Sequence, residues 1–163
     1  QLTMNELELN VVDGLIMPNL KMQKSDGRCA FLCEDNLCNI HTIRPGICRM
    51  FPLGRYWEDE THFKYIVQKG ECNKDNLSKI KLKKWLGIEG LAEYDSYIVR
   101  WHEYVKQLQA ALPGLSEDNV KILNTFNLRV FYMTTYAGCD DDKAFYAEFD
   151  RRLAMAKEKL GLM

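Results

Sequence analysis

The feature that most constrains this 163-residue chain is a dense run of cysteines in a turn-rich segment. Four of the six cysteines lie between residues 29 and 48, at Cys29, Cys33, Cys38 and Cys48, and Cys72 follows them. Thiolates are soft ligands that bind zinc or the iron of an iron–sulfur cluster, and both centres take four of them. No Cys-x2-Cys pair is present, which argues against a zinc finger but not against zinc. The spacing alone leaves a metal or cluster site, inert buried thiols and disulfides open.

Composition and charge narrow the class of protein. The chain is 47% hydrophobic with a formal net charge of −1, so it has enough apolar residues for a core and lacks the charge of a general polyanion binder. No apolar run is long enough to span a bilayer. Because such a core needs no disulfide staples, we expect a reducing, cytoplasmic compartment. The expected partner is a protein or redox partner, and neither a membrane nor nucleic acid is expected.

The pattern of residues predicts an α+β fold that is mainly α. A cysteine-bearing lobe of short strands and turns is expected over residues 1–76 and a helical bundle over residues 77–163, packed together as one compact unit. Within the lobe, residues 1–12 are interpreted as the end of a helix and residues 14–22 and 62–70 as strands. Pro45 is expected in the first turn of a short helix that carries Ile47, Cys48 and Phe51. The bundle is expected to contain a helix ending at Gly87, a long amphipathic helix over residues 88–112, a helix capped by Ser116 and a final helix ending at Gly161.

A longer pattern places three of the cysteines in a specific context. Residues 29–52 read C-x-F-L-x5-C-x-I-x3-R-P-x2-C-R-x-F-P. This pattern resembles the second half of the CxxCxxCC zinc- or iron-chelating family, also called YkgJ-type cysteine-cluster proteins. The matching residues are Cys29, Phe31, Leu32, Cys38, Ile40, Arg44, Pro45, Cys48, Arg49, Phe51 and Pro52, with Cys72 as the lone cysteine that follows. The resemblance covers about residues 13–75, and nothing diagnostic follows it.

The resemblance implies a ligand set. Cys29, Cys38, Cys48 and Cys72 would bind an iron–sulfur cluster, for example 4Fe–4S, with Zn²⁺ as the alternative. The CxxCxxCC motif that gives the family its name precedes this region in the family and is not in the sequence, so we expect it upstream of Gln1. Whether the cysteines form one metal centre or two stays open. Cys33 and Cys139 lie outside the family pattern, and His41 is not one of its fixed ligand positions.

The neighbours of these cysteines suit a thiolate-rich site but have simpler interpretations. Arg44 and Arg49 could offset its negative charge, or they could be ordinary surface arginines. Leu32 and Phe51 could exclude water from the sulfur atoms, or they could belong to the core. The basic stretch KIKLKKW at residues 79–85 could touch an acidic partner or nucleic acid, although a solvated helix face is the preferred interpretation.

Three functions are consistent with the sequence. The first is an iron–sulfur protein with a role in redox chemistry, electron transfer or an iron–sulfur-dependent modification. The second is a protein-interaction module in which structural zinc stabilises the lobe while the helices bind a partner. The third, by similarity to flagellin lysine methylases, is methyl transfer to a protein lysine. No nucleophile–base pair is recognisable, so no catalytic residue is assigned.

Overall fold

The computed structural model describes residues 6–71 and 78–162. Within these residues the chain forms two antiparallel two-stranded sheets and five α-helices, which confirms the predicted α+β, mainly α, class. The strands are β1 Leu7–Val12, β2 Leu15–Leu20, β3 Leu53–Trp57 and β4 Phe63–Val67, and the helices are α1 Gly46–Met50, α2 Leu82–Leu86, α3 Leu91–Ala111, α4 Glu117–Leu128 and α5 Asp142–Leu160.

Backbone contacts divide the chain into two units. The first combines residues 1–32 with residues 104–163, and the second comprises residues 33–103. Each unit therefore contains part of the sequence on either side of residue 76, and the predicted division at that residue stays a prediction. No helix in the part of the chain that the structure describes is long and apolar enough to cross a bilayer.

The first unit opens with a hairpin of β1 and β2. Leu7 pairs with Leu20 and Val12 with Leu15, and the connection is Asp13-Gly14 with φ of 48° and 81°. Positive φ at both central residues matches the twist of the strands, and Asp-Gly tolerates it well. The expectation of a helix end over residues 1–12 is therefore wrong for Leu7–Val12. The strand at residues 14–22 is confirmed as β2.

The hairpin is fixed to α4 by one buried amide. Asn124 is only 3% exposed, and its Oδ1 accepts a hydrogen bond from the Ile16 N–H at 2.7 Å. Its Nδ2 donates to the carbonyl oxygens of Gly14 and Val120, each at 3.1 Å. Because an unpaired buried backbone group is costly, this amide provides partners that the turn would otherwise lack.

The two predicted caps of the first unit are present, with Ser116 at the start of α4 and Gly161 at the end of α5. The Ser116 Oγ accepts a hydrogen bond from the Asn119 N–H at 3.3 Å, and Gly161 closes α5 in the left-handed conformation with φ of 64°. After α4 the chain continues as a π-helical turn over Arg129–Met133. The buried apolar side chains described in this unit are Leu15, Phe31, Tyr104, Leu108, Leu123, Leu128, Phe131, Phe149, Leu153 and Ala156.

The second unit packs the β3–β4 hairpin beside the N-terminal part of α3. The Trp57 and His102 rings stack with their centroids 3.6 Å apart, and the Tyr65 hydroxyl donates to the Asp95 carboxylate at 2.6 Å. Burial and this carboxylate together raise the pKa of Tyr65 above its ordinary value. The predicted strand at residues 62–70 is confirmed as β4, whereas β3 was not predicted.

Candidate metal centre

Cys29 lies in the first unit, in a segment fixed by backbone hydrogen bonds. It forms an isolated antiparallel bridge with Met22, and the Ala30 N–H donates to the Lys21 carbonyl at 3.0 Å. The Gln23 side-chain amide donates to the Cys29 carbonyl at 3.2 Å. The residue is half-buried and is not in a disulfide.

Cys33 and Cys38 belong to consecutive turns of the second unit. The Cys33 N–H donates to the Leu37 carbonyl at 2.9 Å, which closes the first turn. Cys33 is exposed. The Cys38 carbonyl accepts from the His41 N–H at 3.1 Å, and Cys38 is half-buried. The two residues therefore differ in exposure, and the ligand role of Cys38 stays a prediction.

Cys48 lies on α1, which confirms the predicted short helix, although Pro45 and Phe51 flank this helix rather than belong to it. Pro45 directly precedes the helix with φ of −57°, and its carbonyl accepts from the Cys48 N–H at 2.9 Å. Proline suits the start of a helix because its φ is fixed and its missing N–H is not needed there. Cys48 is half-buried, and its backbone is held by the helix rather than by a loop.

A glycine between Pro45 and Cys48 allows α1 to approach α3 closely. A Cβ added to Gly46 would overlap the Tyr94 hydroxyl and would lie 3.3 Å from Tyr94 Cζ. Tyr94 cannot easily move, because its hydroxyl accepts a hydrogen bond from Arg55 Nη2 at 2.9 Å. The position of α1, and with it the position of Cys48, therefore depends on the absence of a side chain at residue 46.

We expect Gly46→Ala to destabilise the protein by about 1–3 kcal/mol, as overpacking of a filled site does. Tyr94→Phe removes the overlapping oxygen, so the double variant should be more stable than the sum of the single effects predicts. Urea unfolding of both single variants and the double variant measures this coupling. Gly90→Ala is the control, because no atom lies within 4 Å of a Cβ there. Equal losses for Gly46→Ala and Gly90→Ala would show that the close approach is unimportant.

The two arginines of the pattern bind neighbouring groups of their own segment. Arg44 Nη1 lies 2.9 Å from His41 Nε2, and Arg49 Nη2 donates to the Thr42 carbonyl at 3.0 Å. A guanidinium has no acceptor, so this contact uses the lone pair of His41 Nε2 and makes that nitrogen unavailable to a metal. Within residues 6–71 and 78–162, neither arginine has a carboxylate partner, and the buried Arg44 Nε lacks a hydrogen-bond partner.

The two apolar residues of the pattern differ in burial. Phe51 is 53% exposed, so its interpretation as a core residue is wrong. It follows the last residue of α1, where the chain turns into β3 and the ring meets solvent. Leu32 is half-buried, whereas its neighbour Phe31 is buried, with 5% of its surface exposed.

Three of the predicted ligands, Cys29, Cys38 and Cys48, lie in the part of the chain that the structure describes, residues 6–71 and 78–162. No group of three or more His, Cys, Asp or Glu side chains there is placed to hold a metal ion. Cys72 lies outside the described residues, so the four-cysteine set is not tested and stays a prediction. Cys139 is half-buried in the first unit, and neither it nor Cys33 or Cys38 is in a disulfide.

The segment that carries Cys38 and Cys48 has no apolar core of its own. From Cys33 to Arg49 no side chain is buried, and the backbone follows turns, a 3-10 turn over His41–Ile43 and the start of α1. Short segments without a core are commonly stabilised by disulfides or metal ions. Cysteines on a segment of this kind are typical of metal-binding domains.

Comparison with known protein families shows which kind of cysteine-rich metal-binding domain this region matches. Residues 4–76 match the family model CxxCxxCC, whose description is "Putative zinc- or iron-chelating domain". The resemblance inferred from the cysteine pattern is thereby confirmed as a match to this family's model over residues 4–76. The zinc or iron expected for the site agrees with the family description. Searches of curated proteins and of solved structures gave no match.

Proposed function

We propose that the cysteine-rich region binds an iron–sulfur cluster through Cys29, Cys38, Cys48 and Cys72 and that the protein works in electron transfer or in an iron–sulfur-dependent reaction. The proposal assumes a reducing compartment such as the cytoplasm, in which these cysteines stay reduced. The family supports zinc or iron in general, and the choice of a cluster and of a redox role is ours.

The observation that carries the proposal is the absence of any buried side chain from Cys33 to Arg49. Ordering a backbone costs about 1–2 kcal/mol per residue, and the turns of this segment provide few hydrogen bonds against that cost. A metal centre that joins Cys38 and Cys48 to ligands elsewhere in the chain would supply the missing stabilisation, because metal binding and folding are coupled.

The arginines give independent support for an anionic centre. A site with four thiolates carries net negative charge, and cations nearby favour the deprotonated thiols. Arg44 lies between Cys38 and Cys48 in the sequence, and Arg49 directly follows Cys48. Among the described residues, no carboxylate forms an ion pair with either arginine. The Arg44 Nε–H is a buried donor without a partner, and a thiolate or sulfide could satisfy it.

A bound cluster would supply one-electron chemistry at a potential set by its charge, hydrogen bonds and exposure. The chain's own contribution would be to present the thiolates, to hold positive charge close to them and to leave a face accessible to a redox partner. The half-buried states of Cys29, Cys38 and Cys48 are compatible with this role, since a fully buried centre exchanges electrons less easily with a partner.

The test is purification of the full chain without air, followed by measurement of iron, acid-labile sulfide, zinc and the visible spectrum. We expect a brown sample with iron and sulfide in stoichiometric amounts, whose colour fades on reduction or exposure to air. A colourless sample with stoichiometric zinc would contradict the cluster and would favour the structural-zinc interaction module. A sample without either metal after reconstitution with both would contradict metal binding by this segment.

A further inference from the structure

An apolar cleft of about 400 Å³ lies in the second unit. Its walls come from the start of β3, the end of β4, the chain before α2 and α2 itself. The lining residues are Pro52, Leu53, Tyr65, Val67, Ser78, Ile80, Leu82 and Trp85. Its volume lies within the range of about 300–1,000 Å³ that binding pockets in proteins typically have.

The walls of this cleft are unusually exposed for apolar side chains. Val67 is 67% exposed, Ile80 48% and Trp85 40%. The Trp85 indole is nevertheless held in place, because its Nε1 donates to the Met50 carbonyl at 3.4 Å and Leu86 beside it is fully buried. A fixed, half-exposed tryptophan in a concave apolar surface is the kind of residue that dominates binding interfaces.

Four lysines lie among or next to the cleft-lining residues of α2 and of the chain before it in the sequence. They are Lys79, Lys81, Lys83 and Lys84, and none of them has an ion-pair partner among the residues that the structure describes. A second cleft of about 410 Å³ on α2 is lined by Lys81, Lys83 and Lys84, together with Glu89. Helix α2 thus presents Leu82 and Trp85 to one cleft and lysines to the other.

We propose that this surface, the α2 cleft with its adjacent lysines, binds an acidic peptide segment of a partner protein that carries a large apolar anchor residue. The anchor side chain occupies the cleft beside Trp85, and carboxylates that flank it pair with Lys81, Lys83 and Lys84. The proposal needs no bound metal and does not rest on the proposed redox role. If the protein does transfer electrons, a redox partner with such a peptide segment could bind here.

The shape of the surface favours a peptide over other anionic partners. A bilayer is penetrated by protruding apolar side chains, whereas Leu53, Val67 and Leu82 line a concavity. Single-stranded nucleic acid stacks its bases on exposed aromatic faces along a basic groove, and most walls of this cleft are aliphatic. A single apolar side chain fits such a cleft, and acidic neighbours complement the lysines.

A selection experiment on the full chain tests the proposal. A display library of random 12-residue peptides is selected on the protein, and the enriched sequences are synthesised and their dissociation constants measured by fluorescence anisotropy. We expect enrichment of a large apolar residue flanked by Asp or Glu, with binding that weakens as salt is raised. No enrichment, or enrichment without acidic residues, would overturn the proposal.

Two variants with matched controls locate the binding surface. Lys81→Gln/Lys83→Gln/Lys84→Gln removes the charge, and we expect the dissociation constant to rise about tenfold, equivalent to about 1.4 kcal/mol. Lys21→Gln/Lys106→Gln/Lys143→Gln changes the net charge equally and should leave binding within about twofold. An equal loss in both triple variants would indicate non-specific attraction and would contradict the proposal.

The cleft itself is tested with exposed residues, so that folding is preserved. Val67→Gln/Ile80→Gln should weaken binding about tenfold, whereas Val11→Gln/Ile122→Gln, at equally exposed apolar positions in the first unit, should not. Tighter binding of anionic vesicles or of single-stranded oligonucleotide than of the best peptide would overturn the proposal in favour of those partners. Metal content is measured on every variant, so that a loss of peptide binding can be distinguished from a loss of the proposed cluster.

Discussion

Replacement of Cys48 with serine is expected to abolish stoichiometric metal binding, and the same result is expected for Cys29→Ser, Cys38→Ser and Cys72→Ser. A hydroxyl is a poor ligand for metals that prefer soft thiolates. Even residues that only orient a metal ligand reduce affinity by about 10–100-fold when mutated, so the loss of a direct ligand should exceed that range. Metal content per chain, measured after purification without air, reports the result.

Two cysteines of the same chain serve as matched controls. Cys33 is exposed and lies outside the family pattern, and Cys139 lies outside residues 4–76 altogether. Cys33→Ser and Cys139→Ser should therefore keep full metal content and the wild-type spectrum. Retention of metal by Cys48→Ser, or its loss in Cys139→Ser, would show that the ligand set is different from the one proposed.

The same variants should also change the order of the segment around the site. Because no side chain from Cys33 to Arg49 is buried, loss of metal should speed amide hydrogen exchange there by at least about tenfold. The amides of the first unit, whose core includes Leu108 and Phe149, should exchange as before. Unchanged exchange at residues 33–49 after metal removal would show that the turns are stable without a metal centre.

The parts of the fold that were predictable are those set by local chemistry. Ser116 accepts from a backbone N–H of the first turn of its helix, and Gly87 and Gly161 both end helices in the left-handed conformation. These caps need only a few adjacent residues, so the sequence contains the whole signal. The short helix after Pro45 was predictable for the same reason.

The hairpins show where a sequence interpretation falls short. Asp13-Gly14 between two apolar runs is a strong hairpin signal, and its use would have identified β1. The strand β3, Leu53–Trp57, contains a glycine and an arginine and is recognisable only from its pairing with β4. Pairing depends on residues distant in sequence, and it determines which face of a strand meets the core.

The candidate site was predictable in its composition but not in its arrangement. The cysteine pattern at residues 29–52 predicted the resemblance to the family, and the match to the family model, residues 4–76, includes that pattern. The exposure of Phe51 could not be predicted, because it depends on how α1 meets β3 rather than on hydrophobicity. The contact of Gly46 with Tyr94 joins residues nearly fifty positions apart, so the need for glycine there is visible only in the structure.

Substitution of Arg152 is expected to cause the largest loss of stability in the first unit. This guanidinium is 4% exposed and donates from Nε to Glu148 at 2.7 Å and from Nη1 to the Val130 and Thr134 carbonyls at 2.8 Å. Its Nη2 donates to the Thr135 carbonyl at 2.7 Å. These carbonyls lie within and just after the π-helical turn Arg129–Met133, where few regular helical partners remain.

Arg152→Met keeps the apolar stem but leaves three carbonyls without these donors, and we expect it to cost about 3–5 kcal/mol. Arg152→Lys should cost less but still more than 1 kcal/mol, because an ammonium cannot reproduce the planar set of donors. Arg151→Met is the matched control. Arg151 also binds Glu148, at 2.7 Å, but its side chain is 66% exposed, so its loss should cost less than about 1 kcal/mol.

Urea unfolding at pH 7 compares these variants, and the pH dependence adds a second test. Hydrogen bonds from Arg151 and then Arg152 lower the pKa of Glu148 from 4.5 to about 2. Since the folded-state pKa lies below the unfolded value, this carboxylate stabilises the fold fully above about pH 4.5, and the contribution is lost as the pH falls towards 2. Arg152→Met should flatten that loss because the folded-state pKa of Glu148 rises. If Arg151→Met and Arg152→Met proved equally destabilising, burial of the guanidinium would not be what makes Arg152 important.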